Sequence, residues 1–503
     1  MALKILLSCL VLAACTSAFP YTETILDANL LINVNPETQQ FVDSLGRERF
    51  FHGTNVVVKG PPYHPKTTGH DHGTFSEVDM KLLQSLGLNA VRLGWMLPGY
   101  VPQRGQYNAT YMEVMQKIVS TAAKYGIYTL LDMHQDVMSR KFCVEGFPDW
   151  AVNSGNAQNF PFPLEDKYPI DPETGYPSSK DCAKHTWSDY YFTEASAAAF
   201  QSLYNNTDGL LDAWAEFWGK TAQGFKDYSS VIGYELINEP FAGDVFRDPS
   251  LMVPGVADEK NLAPAYEKLH KAIRNFDKHH NVFFEGVTWD FFAAGFKTVP
   301  GGSAYQNRSV LSYHYYEPPD FNKKFQFEVR AQDLKRLKCA GFATELLVVS
   351  NSAKGVADMF ELFDICDEHM QSWTGWDYRP LDYQPAGCSE NDKGCPEGAP
   401  KPHHIYIQNT SRTYPQAVAG ITKGFKFEKE TQKFTMSYIV SASCKSTESV
   451  IYLNKNLHYP NGFNVDVVPA GSATWRDSGN YVTLNHQKDL PPGHEISITI
   501  IAK

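Results

Sequence analysis

Eight times between residues 50 and 378 a short apolar run ends in polar side chains. The runs are Phe50–Val58, Ala90–Trp95, Tyr128–Asp136, Val231–Pro240, Val282–Val287, Val310–Tyr316, Gly341–Val349 and Thr374–Tyr378. Such runs, apolar on both faces, suit strands covered on both sides, as in a parallel sheet. Between several of them lie amphipathic patterns: Ser76–Leu86, Tyr111–Tyr125, Leu210–Phe225 and Pro264–Phe276. Eight strands alternating with helices predict an α/β fold, a (β/α)8 barrel, over residues 19–404. Residues 141–230 are too long for one loop and helix and predict an insertion, often a functional one.

Past residue 405 the texture changes. Phe434–Val440, Ser449–Leu453, Gly462–Val468, Asn480–Leu484 and Glu495–Ile501 alternate apolar and polar, with turn signals at Pro460-Asn461-Gly462 and Pro491-Pro492-Gly493. Residues 405–503 therefore read as a small antiparallel β-sandwich capping the barrel.

Residues 1–18 carry the marks of a secretory signal: Lys4, the apolar stretch Ile5–Ala14, and small residues Thr16-Ser17-Ala18. The stretch is shorter than the roughly 20 residues a membrane span needs. Leu12-Ala13-Ala14-Cys15 also resembles a lipoprotein box, but four sequons, at Asn108, Asn205, Asn307 and Asn409, favour a eukaryotic export route and a glycoprotein. The destination is extracellular, or a digestive or lysosomal lumen. Seven cysteines remain after residue 18, and an oxidising compartment makes disulfides the expectation. Cys143–Cys182 would staple the insertion, and Cys388–Cys395 would close a Gly- and Pro-rich loop. The odd count leaves a thiol over. A formal net charge of −11 with no basic run disfavours nucleic acid as a partner. A monomer is expected.

The stretch Val231-Ile-Gly-Tyr-Glu-Leu-Ile-Asn-Glu-Pro240 says most about chemistry. A barrel's active site lies at the C-terminal ends of its strands. This strand delivers Asn238 and Glu239 there, and Pro240 stops the ladder. A carboxyl beside an amide can protonate a leaving oxygen. A second carboxyl comes from Gly341-Phe-Ala-Thr-Glu345, three βα units on and across the barrel mouth. Two carboxyls about 5–5.5 Å apart, one acid/base and one nucleophile, define a retaining glycosidase. Glu285 also ends an apolar run and is the rival nucleophile, ranked behind Glu345. Arg92, buried by its neighbours, needs a carboxylate partner, and Glu345 is the candidate. Asp132-Met-His134-Gln-Asp136 ends the third strand with side chains suited to sugar hydroxyls. Neither His134 nor Asp136 has the further His partners of a zinc site, so no metal is expected, and chemistry carried by two carboxyls calls for no cofactor. His314 and Tyr316 are placed to orient the nucleophile by hydrogen bonds, and Trp376 is a candidate stacking platform.

Taken in order, Arg92, His134, Asn238-Glu239-Pro240, His314 with Tyr316, Glu345 and Trp376 resemble glycoside hydrolase family five. Within it the chain looks most like the endoglycoceramidases. The local cues are Gly53-Thr-Asn-Val-Val-Val-Lys59-Gly-Pro-Pro-Tyr63, Leu131-Asp-Met-His-Gln-Asp136 and Gly146-Phe-Pro-Asp-Trp150. The resemblance implies Glu239 as acid/base, Glu345 as nucleophile and Asn238 on the sugar 2-hydroxyl. It places Lys59, His134 and Asp136 on the first glucose, with Trp376 as its floor. The implied substrate is a glycosphingolipid, cut into intact glycan and ceramide. One departure stands out: family members often have Glu-Phe-Gly at the nucleophile, whereas Leu346-Leu347 follows Glu345 here. The alternatives are a family-five enzyme acting on simple glucosides or glucans, and a silent glycolipid-binding protein. Aromatics at Phe142, Phe147, Trp150, Phe160 and Phe162, and over Phe283–Phe296, are candidates for a lipid groove or for transient contact with a membrane or micelle surface.

Overall fold

The computed structural model describes residues 28, 30–70, 73–157, 159–288, 291–317, 320–348, 353–378 and 410–503. Three short strands come first: β1 (Ile32–Asn35), β2 (Gln40–Asp43) and β3 (Glu48–Arg49). Eight parallel strands then close into a barrel. They are β4 (His52–Val56), β5 (Ala90–Gly94), β6 (Tyr128–Asp132), β7 (Val231–Glu235), β8 (Asn281–Glu285), β9 (Ser309–Tyr315), β10 (Ala340–Leu347) and β11 (Ser372–Trp376). Each falls on one of the eight predicted apolar runs. Closure is made where Trp373 of β11 faces His52 of β4. Every residue of β4 to β8 is buried, which is why these strands are apolar without alternation.

The four amphipathic patterns form helices packed outside the barrel: Glu77–Ser85, Ala109–Ala123, Leu210–Phe225 and Ala263–Arg274. Ser76 caps the first and Asp79 reciprocates on the Ser76 backbone, a capping box. Asn108 caps the second. The insertion between β6 and β7 holds a disulfide, Cys143–Cys182, with Cα atoms 5.3 Å apart. Cys388, Cys395, Asn409 and residues 1–18 lie outside the described residues.

The C-terminal part is a two-sheet sandwich. One sheet carries β12 (Tyr414–Val418), β15 (Glu448–Tyr452), β17 (Ala473–Asp477) and β18 (Tyr481–His486). The other carries β13 (Ile421–Glu428), β14 (Lys433–Ile439), β16 (Phe463–Val468) and β19 (Glu495–Ala502). The first sheet extends through β3, β2 and β1, so residues 32–49, expected in the barrel, belong to the sandwich sheet instead. Val418 pairs with Glu48, Ala417 with Arg49, and Arg49 Nε donates to the Gln416 carbonyl at 2.8 Å. The same hairpin plugs one barrel end. Phe41 packs on the rings of Phe51, Phe283 and Phe342 at 5.4–6.2 Å, with Ile32 and Val34 beside it. With the N-terminal end stoppered by apolar side chains, the C-terminal end is the one left for a site.

Candidate active site

The strand ends deliver their polar groups to one cleft of about 450 Å³, lined among others by Lys59, His134, Asp136, Glu239, Glu285, His314, Tyr316, Glu345 and Trp376. Beneath its floor lies Arg92 of β5, fully buried. Its guanidinium donates to Glu345 Oε1 at 2.7 Å, to Asn55 Oδ1 at 3.0 Å, to Asn238 Oδ1 at 2.8 Å and to Glu235, with Asp132 Oδ1 3.1 Å away. Burial opposes its charge, yet Asp132, Glu235 and Glu345 together hold it well above its ordinary pKa. The expected Arg92–Glu345 pair is present. Asn55 and Glu235 were not foreseen. Glu235 was detectable in principle, since an acid inside the apolar run Val231–Pro240 has to be paired.

Glu345 accepts a second hydrogen bond from the Tyr316 hydroxyl at 2.6 Å. The Tyr316 phenol is raised well above its usual pKa by burial and by the neighbouring Glu345 carboxylate, so it stays a donor. The departure after Glu345 resolves simply: β10 runs on through Leu346, buried, and Leu347, exposed at its end. Glu239 leaves β7 with φ of +43°, a left-handed conformation that costs a residue with a Cβ. Its carboxyl Oε1 lies 2.8 Å from His314 Nδ1. The hydrogen bond of His314 thus goes to Glu239, and Glu345 Oε2 is 3.8 Å away. His314 and Tyr316 were both expected on Glu345; only Tyr316 bonds it, and His314, two residues earlier at the same strand end, meets Glu239 instead. Burial disfavours a charged His314, but Glu285, Glu345 and Glu239 outweigh it and lift its pKa to about 10. One oxygen from each of Glu239 and Glu345 and one nitrogen of His314 lie within 4.8 Å of one another.

The polar wall is built by β4 and β6. His134 Nδ1 is 2.8 Å from Asp132, and its ring stacks on Trp376 with centroids 5.3 Å apart and planes at 15°. The Lys59 ammonium pairs with Asp136, stands 3.7 Å from Glu145 and lies 4.9 Å from the centre of the Trp376 ring. His134, Asp136 and Glu145 also converge closely enough to hold a cation, and the Lys59 ammonium stands beside them. Burial penalises the Lys59 charge, but Asp136 and Glu145 hold its pKa above the ordinary value. Asn238 is 1% exposed, its Nδ2 donating to the Gln135 carbonyl at 2.9 Å while its Oδ1 accepts from Arg92.

The rest of the lining is mixed: Val287, Phe291, Phe292 and Trp187, the last reaching in from the insertion, stand among Asp258, Asp320, Gln326 and Arg330. A second, smaller groove adjoins it through Val287, Thr288 and Phe292 and is lined by Phe192, Phe241 and Leu251–Pro254. The aromatics expected to make a lipid groove mostly do otherwise. Phe142, Phe147 and Phe160 are core, as are Phe283, Phe284 and Phe296. Trp150 is spent on a hydrogen bond to the Val101 carbonyl, and Phe162 is exposed outside the lining of the cleft. Of the second group, Phe291 and Phe292 face it. Loop composition cannot say which ring turns inward; packing does.

A closed barrel with two carboxyls facing each other at the C-terminal strand ends, one on an arginine and a tyrosine and the other on a histidine, defines a barrel glycosidase. Residues 52–382 match the cellulase family (glycosyl hydrolase family 5), and residues 412–500 match the glycoside hydrolase family 5 C-terminal domain. The chain belongs to glycoside hydrolase family 5, among the endoglycoceramidases. It is 66% identical to an endoglycoceramidase of Cyanea nozakii, covering 98% of this chain and 97% of that one. It is 59% identical to an endoglycoceramidase of Hydra vulgaris, over 92% and 88% respectively. Endo-glycoceramidase II from Rhodococcus sp., solved as a ganglioside GM3 complex, has the same fold, with a TM-score of 0.72 at 19% identity over 92% of this chain and 99% of that chain.

Proposed function

We propose that this enzyme hydrolyses the bond between glucose and ceramide in glycosphingolipids and releases the glycan whole. The observation that carries the reading is the pair Glu239 and Glu345 converging in a cleft that offers both polar groups for a sugar (Lys59, His134, Asp136, Trp376) and large apolar side chains (Val287, Phe291, Phe292, Trp187). A substrate with a hydroxyl-rich half and a lipid half fits such a cleft.

The mechanism follows from the hydrogen bonds. Glu345, held by Arg92 and Tyr316, attacks the anomeric carbon with one oxygen lone pair. Protonated Glu239 gives its proton to the departing ceramide oxygen as the glycosidic bond breaks. Glu239 then takes a proton from water, whose oxygen displaces Glu345 from the same carbon, so configuration is retained. Arg92 and Asn238 act from below, by fixing Glu345 and the backbone around Glu239. Trp376, steadied by His134 and Lys59, offers a face to the sugar ring.

The compartment belongs to the same reading: export past the membrane, with glycans on the sequons. The Cys143–Cys182 disulfide supports an oxidising destination, and Asn108, Asn205 and Asn307 are all exposed, as a glycan requires. Contact with a lipid surface is supported by the apolar rim of the cleft. Among the described residues no helix is long and apolar enough to cross a membrane.

Mass spectrometry of products from lactosylceramide and a ganglioside tests the proposal. Expected are the intact oligosaccharide and ceramide from each, with losses of about 10²–10⁴-fold in Glu239→Gln and at least as large in Glu345→Gln, both variants remaining folded. Stepwise release of single sugars, cleavage of simple glucosides or glucans alone, or binding without turnover would overturn it.

A further inference from the structure

We infer that Glu285 is a positioning residue for proton transfer: its carboxyl clamps the backbone of Glu239 and thereby aims the acid/base at the leaving oxygen. The inference rests on the acid/base reading of Glu239.

The barrel ladder explains why a clamp is needed. The Leu236 N–H still finds the Phe283 carbonyl at 3.0 Å, and the Asn238 N–H turns to the Met133 carbonyl at 3.0 Å on the other side. At Glu239 the N–H turns from the ladder to a side chain, and an unpaired N–H in this place would be costly. Glu285, the last residue of β8, fills the gap with its side chain: its Oε2 accepts the Glu239 N–H at 2.8 Å. On the other side of the same residue, the Glu239 carbonyl accepts from Gln135 Nε2 and from the Tyr191 hydroxyl, each at 3.0 Å. The left-handed backbone of Glu239, at φ +43°, is thus held from both ends, which a non-glycine residue in that region requires.

The second oxygen of Glu285 faces the same apparatus. Its Oε1 lies 3.8 Å from His314 Nε2, which has no hydrogen bond among the described residues, while His314 Nδ1 meets Glu239. Glu285 therefore holds the Glu239 backbone by a hydrogen bond, and its second oxygen stands near the imidazole that meets the Glu239 carboxyl. It is itself anchored, its own carbonyl accepting from the Tyr266 hydroxyl at 2.8 Å. It is 5% exposed, and burial, with the negative neighbours Glu235 and Glu239, lifts its pKa to about 8 against the pull of His314. A carboxyl in that condition is a poor nucleophile but a sound hydrogen-bond acceptor.

The test separates proton donation from folding by changing the leaving group. A dinitrophenyl leaving group departs without a proton; a lipid alkoxide does not. In Glu285→Ala, kcat/KM for lactosylceramide should fall about 10- to 100-fold, the scale of a displaced catalytic group, while kcat/KM for 2,4-dinitrophenyl β-lactoside stays within about threefold. Glu285→Gln, which keeps an acceptor for the Glu239 N–H, should recover most of the loss. Should the alanine variant not fold, Glu285→Asp is read in the same way. Glu239→Ala is run beside them. If it discriminates between the substrates and the Glu285 variants lose both equally, or lose neither, the inference falls and the role of Glu239 stands. If Glu239→Ala itself shows no discrimination, the acid/base reading falls and the inference with it.

Discussion

Arg92 donates from Nη1 to Oε1 of Glu345 across 2.7 Å, tying the second strand of the barrel to the seventh beneath the cleft. The same guanidinium meets Asp132, Glu235, Asn55 and Asn238, so a single cation holds the floor of the site together.

Removing that cation leaves buried acids facing one another. We predict that Arg92→Met lowers stability by about 3–5 kcal/mol, the cost of breaking a buried ion pair on one side. Arg92→Lys should recover little of it, because an ammonium cannot reproduce the planar fork that serves several acceptors at once. Thermal or denaturant unfolding of the two variants measures this; a lysine variant as stable as the parent would contradict it.

The charge on His134 gives a pH signature. Burial disfavours the imidazolium, but Asp132 more than compensates, and the folded-state pKa rises to about 10 despite repulsion from Lys59. A raised histidine contributes stability in full below its unfolded pKa of about 6.5 and loses it as pH climbs through the folded value. His134→Asn should therefore show its largest deficit in melting temperature near pH 6, shrinking steadily toward pH 10. A deficit that does not change with pH would mean that the charge contributes nothing.

The rim of the cleft exposes large apolar side chains from four successive βα connections: Trp187, Met252 with Val253, Phe292, and Phe321. Phe291 and Phe321 meet edge to face at 5.8 Å, and Phe292 lines the smaller groove together with Met252 and Val253. Met252 and Val253 are each more than half exposed, which in water is a cost and at a lipid surface a gain of about 1 kcal/mol or more apiece. Met252→Ser combined with Val253→Ser should cut turnover of lactosylceramide held in vesicles by about tenfold, with turnover of a soluble aryl lactoside within about twofold of the parent. Equal effects on both substrates would place these residues outside lipid contact.

Much of this molecule could be read along the chain. The eight barrel strands and the four helices announced themselves by period, because a strand buried on both faces must be apolar throughout and a helix packed on one face must repeat every three to four residues. Glu239 and Glu345 stood out for the same reason, as acids at the ends of runs where the fold exposes side chains to one mouth. The Cys143–Cys182 pair lay in the one insertion long enough to need a staple.

What the chain order could not give are the relations that depend on neighbours brought together from far away. Strands of two to four residues, as at Gln40–Asp43 and Glu48–Arg49, are too short to carry a period, and only pairing with Tyr414–Val418 shows that they belong to the sandwich sheet. Nothing in Ser312-Tyr-His-Tyr-Tyr316 says that His314 leans on Glu239 while Tyr316 holds Glu345; that division is set by where the two carboxylates come to lie once the barrel has closed. Glu285 looked like a rival for Glu345 until the structure placed its side chain on the Glu239 N–H. Local periodicity is a property of the sequence, whereas the partner of a buried polar group is chosen by whatever closes around it, and that is decided only when the barrel is shut.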